Sequence, residues 1–309
     1  MLRDIFYFVI FPGLLFSGVV GGFLSWFDRK ITARVQFRKG PPIFQPFYDF
    51  IKLLYKETIL PAGGSRTTFL LAPVFGMFGA TIASVFILLP LFGIDTGFKG
   101  DIIVIFYLLT IPSLTYMIGA LASGNPLAAV GASREMKLII SYELSFLLVV
   151  VAVILKSGMK ISLYEILAYQ AAEGAIIGSL SGILIFIVAL FCLQAKLGLV
   201  PFDMSEAETE ITHGVFIEHS GTIYAMVKLT KYMMIFILPA FVTALLLGGF
   251  NLEGINILWS ILKVLGIVLL LTLIRNTNPR LKINQAMKFF LIWMNLLIVI
   301  AVVLIYFNF

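Results

Sequence analysis

Side chains that bind transition metals are scarce in this chain of 309 residues, which has one cysteine and two histidines. A single cysteine, Cys192, cannot form a disulfide within the chain or hold an iron–sulfur cluster. His213 and His219 are six positions apart, and no third ligand follows at a spacing typical of zinc sites. We therefore expect this chain to bind no metal, flavin or cluster, and to carry out no redox step alone.

Charged residues are also few. They make up 12% of the sequence, against roughly 25% in soluble domains, while hydrophobic residues make up 61% and the mean hydropathy is +1.06. This composition indicates a polytopic membrane protein. The formal net charge of +6 does not point to a nucleic-acid partner, because the basic residues are spread over the loops between apolar runs.

Eight apolar runs are long enough to cross a membrane as helices, which needs about 20 residues each. They are residues 5–27, 69–92, 102–123, 138–155, 176–194, 223–248, 257–274 and 289–307. The first is not a signal peptide, since it is too long, lacks a small-residue cleavage site and carries its positive charge after the apolar run. The sequence predicts an all-α polytopic membrane protein of about eight transmembrane helices in one integral membrane domain, 1–309.

Lysine and arginine accumulate on one side of this arrangement. That side receives Arg29, Lys30, Arg34, Arg38, Lys39, Lys52, Lys56, Arg66, Arg134, Lys137, Lys196, Arg275, Arg280, Lys282 and Lys288, and the other only Arg3, Lys99, Lys156 and Lys160. Because cytoplasmic loops carry the excess of basic residues, we expect a multi-pass protein of the cell membrane with both termini outside. On the outer side, the stretch from Lys160 predicts a short interfacial helix. No repeat relates the two halves, which disfavours many secondary transporters.

The long cytoplasmic loop 28–68 contains a predicted amphipathic helix. Gly40-Pro41-Pro42 breaks any helix, and Pro46 suits the first turn of the next one. Its polar residues are Asp49, Lys52, Lys56 and Glu57, and its buried side is expected to be Phe50, Ile51, Leu53 and Leu54. Anchoring to anionic headgroups explains such a loop, but anchoring needs only a few charges, so its length favours a docking surface for a soluble partner.

Two acids belong to the fourth apolar run. Glu135 stands near its cytoplasmic end, and Glu143 follows eight residues later, roughly 12 Å deeper along a helix. A carboxylate at that depth needs a partner or a proton. Either Glu143 pairs with a lysine of another span, such as Lys228 or Lys231, and holds helices together, or it is a titrating relay site, which we favour.

The cytoplasmic segment 195–222 carries a cluster of acids: Asp203, Glu206, Glu208, Glu210 and Glu218. If Ser205 begins a helix, Ser205 and Glu208 form a capping box. The first, second and fourth acids would then share one face and repel, so they must be protonated, paired or hydrated. A solvated loop is the simplest interpretation, but the apolar residues that follow argue against it. Arg275 and Arg280 are natural counter-ions.

Motifs along nearly the whole chain carry a specific resemblance. They are Asp28-Arg-Lys, Gln36-x-Arg38-x-Gly40-Pro41, Gln45-Pro-x-x-Asp49-x-x-Lys52, Lys56-Glu57, Arg134-Glu135, Tyr142-Glu143, Pro201-Phe-Asp-x-x-Glu-Ala-Glu-x-Glu, Glu218-x-Ser-Gly221, Arg275 and Pro279-Arg280. In this order they resemble the H subunit of respiratory complex I and its relatives in energy-converting membrane hydrogenases.

The resemblance implies an eight-span subunit that joins a hydrophilic redox arm to a membrane pumping arm. The proton or ion path would then include Glu135, Glu143, Asp203, Glu206, Glu208, Glu210, Glu218 and Lys231. The residues that dock the redox arm would be Arg29, Arg34, Arg38, Asp49, Lys52, Lys56, Glu57, Arg275 and Arg280. Implied partners are hydrogenase-like large and small subunits, which would carry iron–sulfur clusters and a nickel–iron centre, antiporter-like membrane subunits, and lipid.

Departures from the quinone-type pattern decide between branches of the family. Val200, His219, Lys231 and Asn284 stand where quinone-type members tend to have Arg, Tyr, Glu and Asp. Replacing an intramembrane acid by Lys231 reverses the local charge. We therefore expect a ferredoxin-linked complex of the membrane-bound hydrogenase type, or a sulfur-reducing relative. The alternatives are the quinone-site subunit of a complex I-type dehydrogenase, a stand-alone ion transporter and a passive anchor.

Overall fold

A computed structural model describes residues 2–95, 101–251 and 254–307, and every regular element in these ranges is helical. The helices are α1 (Leu2–Val9), α2 (Leu14–Val35), α3 (Gln45–Leu54), α4 (Arg66–Leu91), α5 (Asp101–Leu108), α6 (Ile111–Ala122), α7 (Pro126–Lys156), α8 (Leu163–Glu173), α9 (Leu180–Lys196), α10 (Glu208–Ile211), α11 (Gly221–Leu246), α12 (Asn256–Thr277), α13 (Ile283–Lys288) and α14 (Asn295–Tyr306). A π-helical turn, Phe289–Met294, makes α13 and α14 one continuous rod. The predicted all-α polytopic fold is confirmed.

Each of the eight apolar runs corresponds to a helix or a helix pair. Seven are long and apolar enough to cross a membrane: Leu2–Val35, Arg66–Leu91, Ile102–Ala122, Pro126–Lys156, Gly221–Leu246, Asn256–Thr277 and Ile283–Tyr306. The remaining run forms α9, which has 17 residues, or about 25 Å of helix. It is shorter than a typical hydrocarbon core because the chain leaves the helix at Lys196 and continues as a non-helical segment inside the protein.

Helix α11 lies at the centre of the bundle, against α2, α3, α4, α9 and α12. Every residue from Tyr232 to Leu246 is buried, as expected of a helix that is hydrophobic all round. The approach of α2 is closest at Gly21, where any side chain would overlap the backbone of Tyr232. Small residues at such crossings let membrane helices pack backbone to backbone.

The connections alternate between the two ends of the bundle. At one end the backbone of Ser65 donates to Ala122 (2.9 Å), and that of Ile59 donates to Ser220 (2.9 Å). At the other end Gln170 of α8 donates to the carbonyl of Ala244 (2.8 Å). Helix α8 is the short helix expected after Lys160. All the strongly basic loops therefore meet at one end.

Two local predictions are wrong. Helix α3 ends at Leu54, so Lys56 and Glu57 follow the helix, and two of the four apolar residues expected to be buried, Ile51 and Leu54, are exposed. Helix α3 packs instead through its first turn, where Pro46 is buried. Ser205 caps no helix, because α10 begins at Glu208 after Ala207.

The acidic segment is also not a solvated loop. Residues 201–205 are buried, and non-helical backbone of this kind is tolerated in membrane proteins where protein or a wet cavity surrounds it. Two parts of the sequence predictions lie outside the described residues: Lys99, expected on the outer side, and the side chain of Glu208.

Candidate functional site

A cavity of about 370 Å³ lies at the end where the basic loops meet. It is bounded by α2, α6, α7, α9, α11 and α12 and by the segment that follows α9. Its charged lining comprises Asp28, Arg29, Glu135, Lys196, Asp203, Glu206, Lys228, Lys231, Arg275 and Arg280. Ionisable groups inside membrane proteins usually face a bundle interior or a wet cavity.

The acidic segment forms one wall, and basic residues from three other elements neutralise it. Arg280 contacts Asp203 at 2.7 Å, Lys231 contacts Glu206 at 2.6 Å and Arg134 contacts Glu210 at 2.6 Å. Burial raises the pKa of Asp203 above its ordinary value, although Arg280 opposes this change. The repulsion expected among these acids is thus relieved mainly by pairing.

Arg275 was expected to serve the same acids, and this prediction is wrong. Its guanidinium binds Asp28 at 2.8 Å, and Thr272 donates to the other oxygen of that carboxylate at 2.9 Å. The reason is that α12 packs along α2, which brings the last turn of one helix beside that of the other. Arg275 therefore closes the cavity on the side of α2.

The deepest pair joins Glu143 on α7 to Lys196, the last residue of α9. The Lys196 side chain is fully buried, and the rings of Phe106, Tyr142 and Phe146 surround its ammonium group at 5.0 to 5.8 Å. Cation–π contacts of this kind stabilise a cation removed from water. The pair extends the charged array from the cavity into the membrane-spanning helices.

The predicted pairing of Glu143 with a lysine of another helix is therefore found, but the lysine is Lys196 and not Lys228 or Lys231. Lys231 pairs instead with Glu206 of the acidic segment. Sequence reasoning missed Lys196 because it was assigned to a loop. Its position directly after a run of apolar residues could have indicated a buried pair, since a lysine there must either extend to water or contact a buried acid.

Glu135 lines the cavity and lies two helical turns from Glu143 on α7. It is buried and shares a hydrogen bond with Ser205, and Glu206 and Lys231 are the charged side chains that act on it most. It has no ion pair within the described ranges. A buried acid without a counter-ion is suited to take up and release a proton.

The residues assigned to docking do not form one surface. Arg29 lines the cavity and binds Asp49 at 2.8 Å, which tethers α3 to α2. Burial raises the pKa of Asp49, but hydrogen bonds from Arg29 and Gln45 outweigh it and hold the pKa below its ordinary value. The other members on this loop, Arg34, Arg38, Lys52, Lys56 and Glu57, are exposed.

Glu218 and His219 lie away from the cavity. Glu218 accepts a hydrogen bond from Asn125 at 2.6 Å, which connects the segment to the start of α7. His219 is buried against Phe69 and Phe216, and neither ring nitrogen has a hydrogen-bond partner among the described residues. Burial lowers its pKa to about 4. In the described part of the chain, no three His, Cys, Asp or Glu side chains gather as a metal ion would require.

These features define a class: a helical, polytopic membrane protein with an internal cavity of ion pairs. A family model described as NADH dehydrogenase matches residues 8–307. The H subunit of the NADH-quinone oxidoreductase of Thermomicrobium roseum is 34% identical over 291 positions, covering 86% of this chain and 84% of that protein. The H subunit of the corresponding enzyme of Syntrophotalea carbinolica is 33% identical over 301 positions, covering 91% and 89%.

The chain is also similar to a solved structure over its whole length. A chain of the membrane-bound sulfane sulfur reductase, an archaeal respiratory membrane complex, is 28% identical to this chain, with a TM-score of 0.87 and coverage of 98% of both chains. The protein belongs to the NADH dehydrogenase family that these H subunits represent.

Proposed function

We propose that this chain is the membrane subunit of a multisubunit respiratory-type complex, and that it couples a redox reaction in attached subunits to translocation of protons or sodium ions. The family membership and the likeness to a chain of the sulfane sulfur reductase over its whole length support the first part. The chain supplies anchoring and ion transfer, and the redox cofactors belong to its partners.

The observation that carries the second part is the continuous series of charges from the cavity into the bundle. Glu135 and Glu143 lie two turns apart on α7, and Lys196 joins the deeper acid to the cavity that the shallower acid lines. Ionisable groups inside membrane proteins are expensive and typically mark ion pathways. A proton taken up by one acid changes the balance of every neighbouring pair, so charge is passed on by stepwise exchange of partners.

The redox arm is proposed to dock at the end that carries the cavity. Basic residues are concentrated there, so we expect from the positive-inside rule that this end faces the cytoplasm and that both termini lie outside. Hydrogenase-like subunits with iron–sulfur clusters and a nickel–iron or sulfur-reducing centre would sit on the loop 28–68, and antiporter-like subunits beside the bundle. The exposed charges Arg34, Arg38, Lys52 and Lys56 are free to meet a soluble partner.

A quinone-site subunit is the second candidate. The names of the two curated relatives favour it, and the cavity volume falls in the range of about 300–1,000 Å³ common for ligand sites. Such sites are mostly apolar, however, whereas eight of the residues that line this cavity belong to ion pairs. The Lys231–Glu206 pair in particular fills part of the cavity wall with a salt bridge.

The test is affinity purification of the chain from its native membrane, with identification of the subunits that accompany it and measurement of the acceptors that the complex reduces. Co-purification of hydrogenase-like and antiporter-like subunits, with reduction of protons or a sulfur compound, is expected. Reduction of quinone that is blocked by filling the cavity would favour the second candidate. Purification as a single chain that transports ions in liposomes would overturn both.

A further inference from the structure

Lys228 stands apart from the other cationic side chains of the cavity. Five of them contact a carboxylate: Arg29 with Asp49, Lys196 with Glu143, Lys231 with Glu206, Arg275 with Asp28 and Arg280 with Asp203. Lys228 lines the same cavity and has no carboxylate within ion-pair distance in the part of the chain that is described. Its ammonium group lies 5.5 Å from the ring centre of Tyr224.

The charged groups around Lys228 neutralise one another and leave its own charge without a partner among the described residues. The charged groups that act on it are Arg29 of α2, Asp49 of α3, Lys231 of its own helix and Glu206 of the acidic segment. Both acids are already bound to the two other bases, at 2.8 and 2.6 Å. Lys228 is half-buried, so bulk water compensates its charge only in part.

The wall beside Lys228 is suited to hold a small polar ligand. Tyr232, one helical turn along α11, also lines the cavity, and its hydroxyl accepts a hydrogen bond from Arg29 at 3.4 Å. Tyr224 lines the cavity one turn in the other direction. A site with an ammonium group, a nearby guanidinium and the hydroxyl of Tyr232 has the donors that an anion prefers.

We propose that this cavity binds a small anion, of the size of a halide or a short carboxylate, against Lys228. The anion supplies the counter-charge that the chain gives to each of the other five cations. It would complete the array of pairs through which the proposed coupling passes, but its binding rests on the cavity alone and not on the proposed function.

The experiment uses the native complex purified in lipid nanodiscs, with chloride as the probe and broadening of the chlorine NMR line as the signal. The parent complex is expected to broaden the line saturably, and acetate to compete. Lys228→Met should weaken chloride binding about tenfold or more, the size expected for losing one charge-assisted contact. Lys228→Arg should keep it. Lys137→Met, which removes an exposed cation from α7, is the matched control and should bind like the parent.

Three results would overturn the proposal: no saturable broadening in the parent, equal broadening by Lys228→Met, or a carboxylate of a partner subunit resting on Lys228 in a structure of the assembled complex. The last result would identify a protein side chain as the counter-charge in place of a solute. Because the readout is binding, its failure is distinguishable from a failure of ion transport.

Discussion

The pair of Glu143 and Lys196 offers the most direct test of charge coupling in this protein. The lysine side chain is fully buried and the glutamate side chain is 15% exposed. The second oxygen of that carboxylate has no hydrogen-bond partner among the described residues. Either group would therefore be left with little compensation if its partner were removed.

The expected magnitude follows from this burial. Removing one partner of a buried pair costs about 3–5 kcal/mol when the other stays charged. Lys196→Met should therefore destabilise the complex strongly, or force Glu143 to keep a proton. Glu143→Gln leaves Lys196 among three aromatic rings, which stabilise its charge and so reduce the loss of stability. The double variant should be more stable than the sum of the single effects, with an interaction free energy of about 1–3 kcal/mol.

The assay compares unfolding of the purified complex with ion transport in liposomes and with the redox reaction in the same preparation. Glu143→Gln is expected to assemble and to keep its redox activity while ion transport falls. Glu173→Gln, which changes an exposed acid at the end of α8, is the control and should transport normally. Additive stabilities in the double variant, or full transport by Glu143→Gln, would refute the reasoning and reduce the pair to helix packing.

Three further predictions concern other parts of the chain. Lys231→Met should lower ion transport because Glu206, left unpaired, must take up a proton, and adding Glu206→Gln should restore part of the activity. If the double variant is no better than Lys231→Met, the pair has no role in transport. A cysteine placed at Gly63 should react with impermeant reagents only from the cytoplasmic side, and labelling from outside would reverse the topology. The pKa of His219 is about 4 in the folded protein and 6.5 in the unfolded chain. Between these two pH values the unfolded state therefore binds more protons than the folded state. Stability should thus fall by about 3 kcal/mol from pH 7 to pH 4, and His219→Phe should flatten this decline in thermal unfolding curves.

Much of the architecture follows from composition and periodicity alone. Long apolar runs can satisfy their backbone groups in a bilayer only as helices, so the positions and the order of the apolar helices could be predicted from the sequence. The alternation of loops rich and poor in lysine and arginine likewise distinguished the two ends of the bundle. The acids Glu135, Glu143 and Glu206 were recognisable as candidates because ionised groups are rare in such chains.

The pairing of those charges was decided only by tertiary structure. Lys196 and Glu143 are 53 residues apart, and whether they meet depends on how α9 packs against α7, which no local pattern records. Arg275 lies close in sequence to Arg280, which pairs with the acidic segment, but the packing of α12 on α2 places Arg275 beside Asp28 instead. Sequence determined which groups had to be neutralised, because burying a charge is costly for any helix. Three-dimensional packing determined which partner neutralises each one, because ion pairs depend on distances of a few ångströms across the bundle.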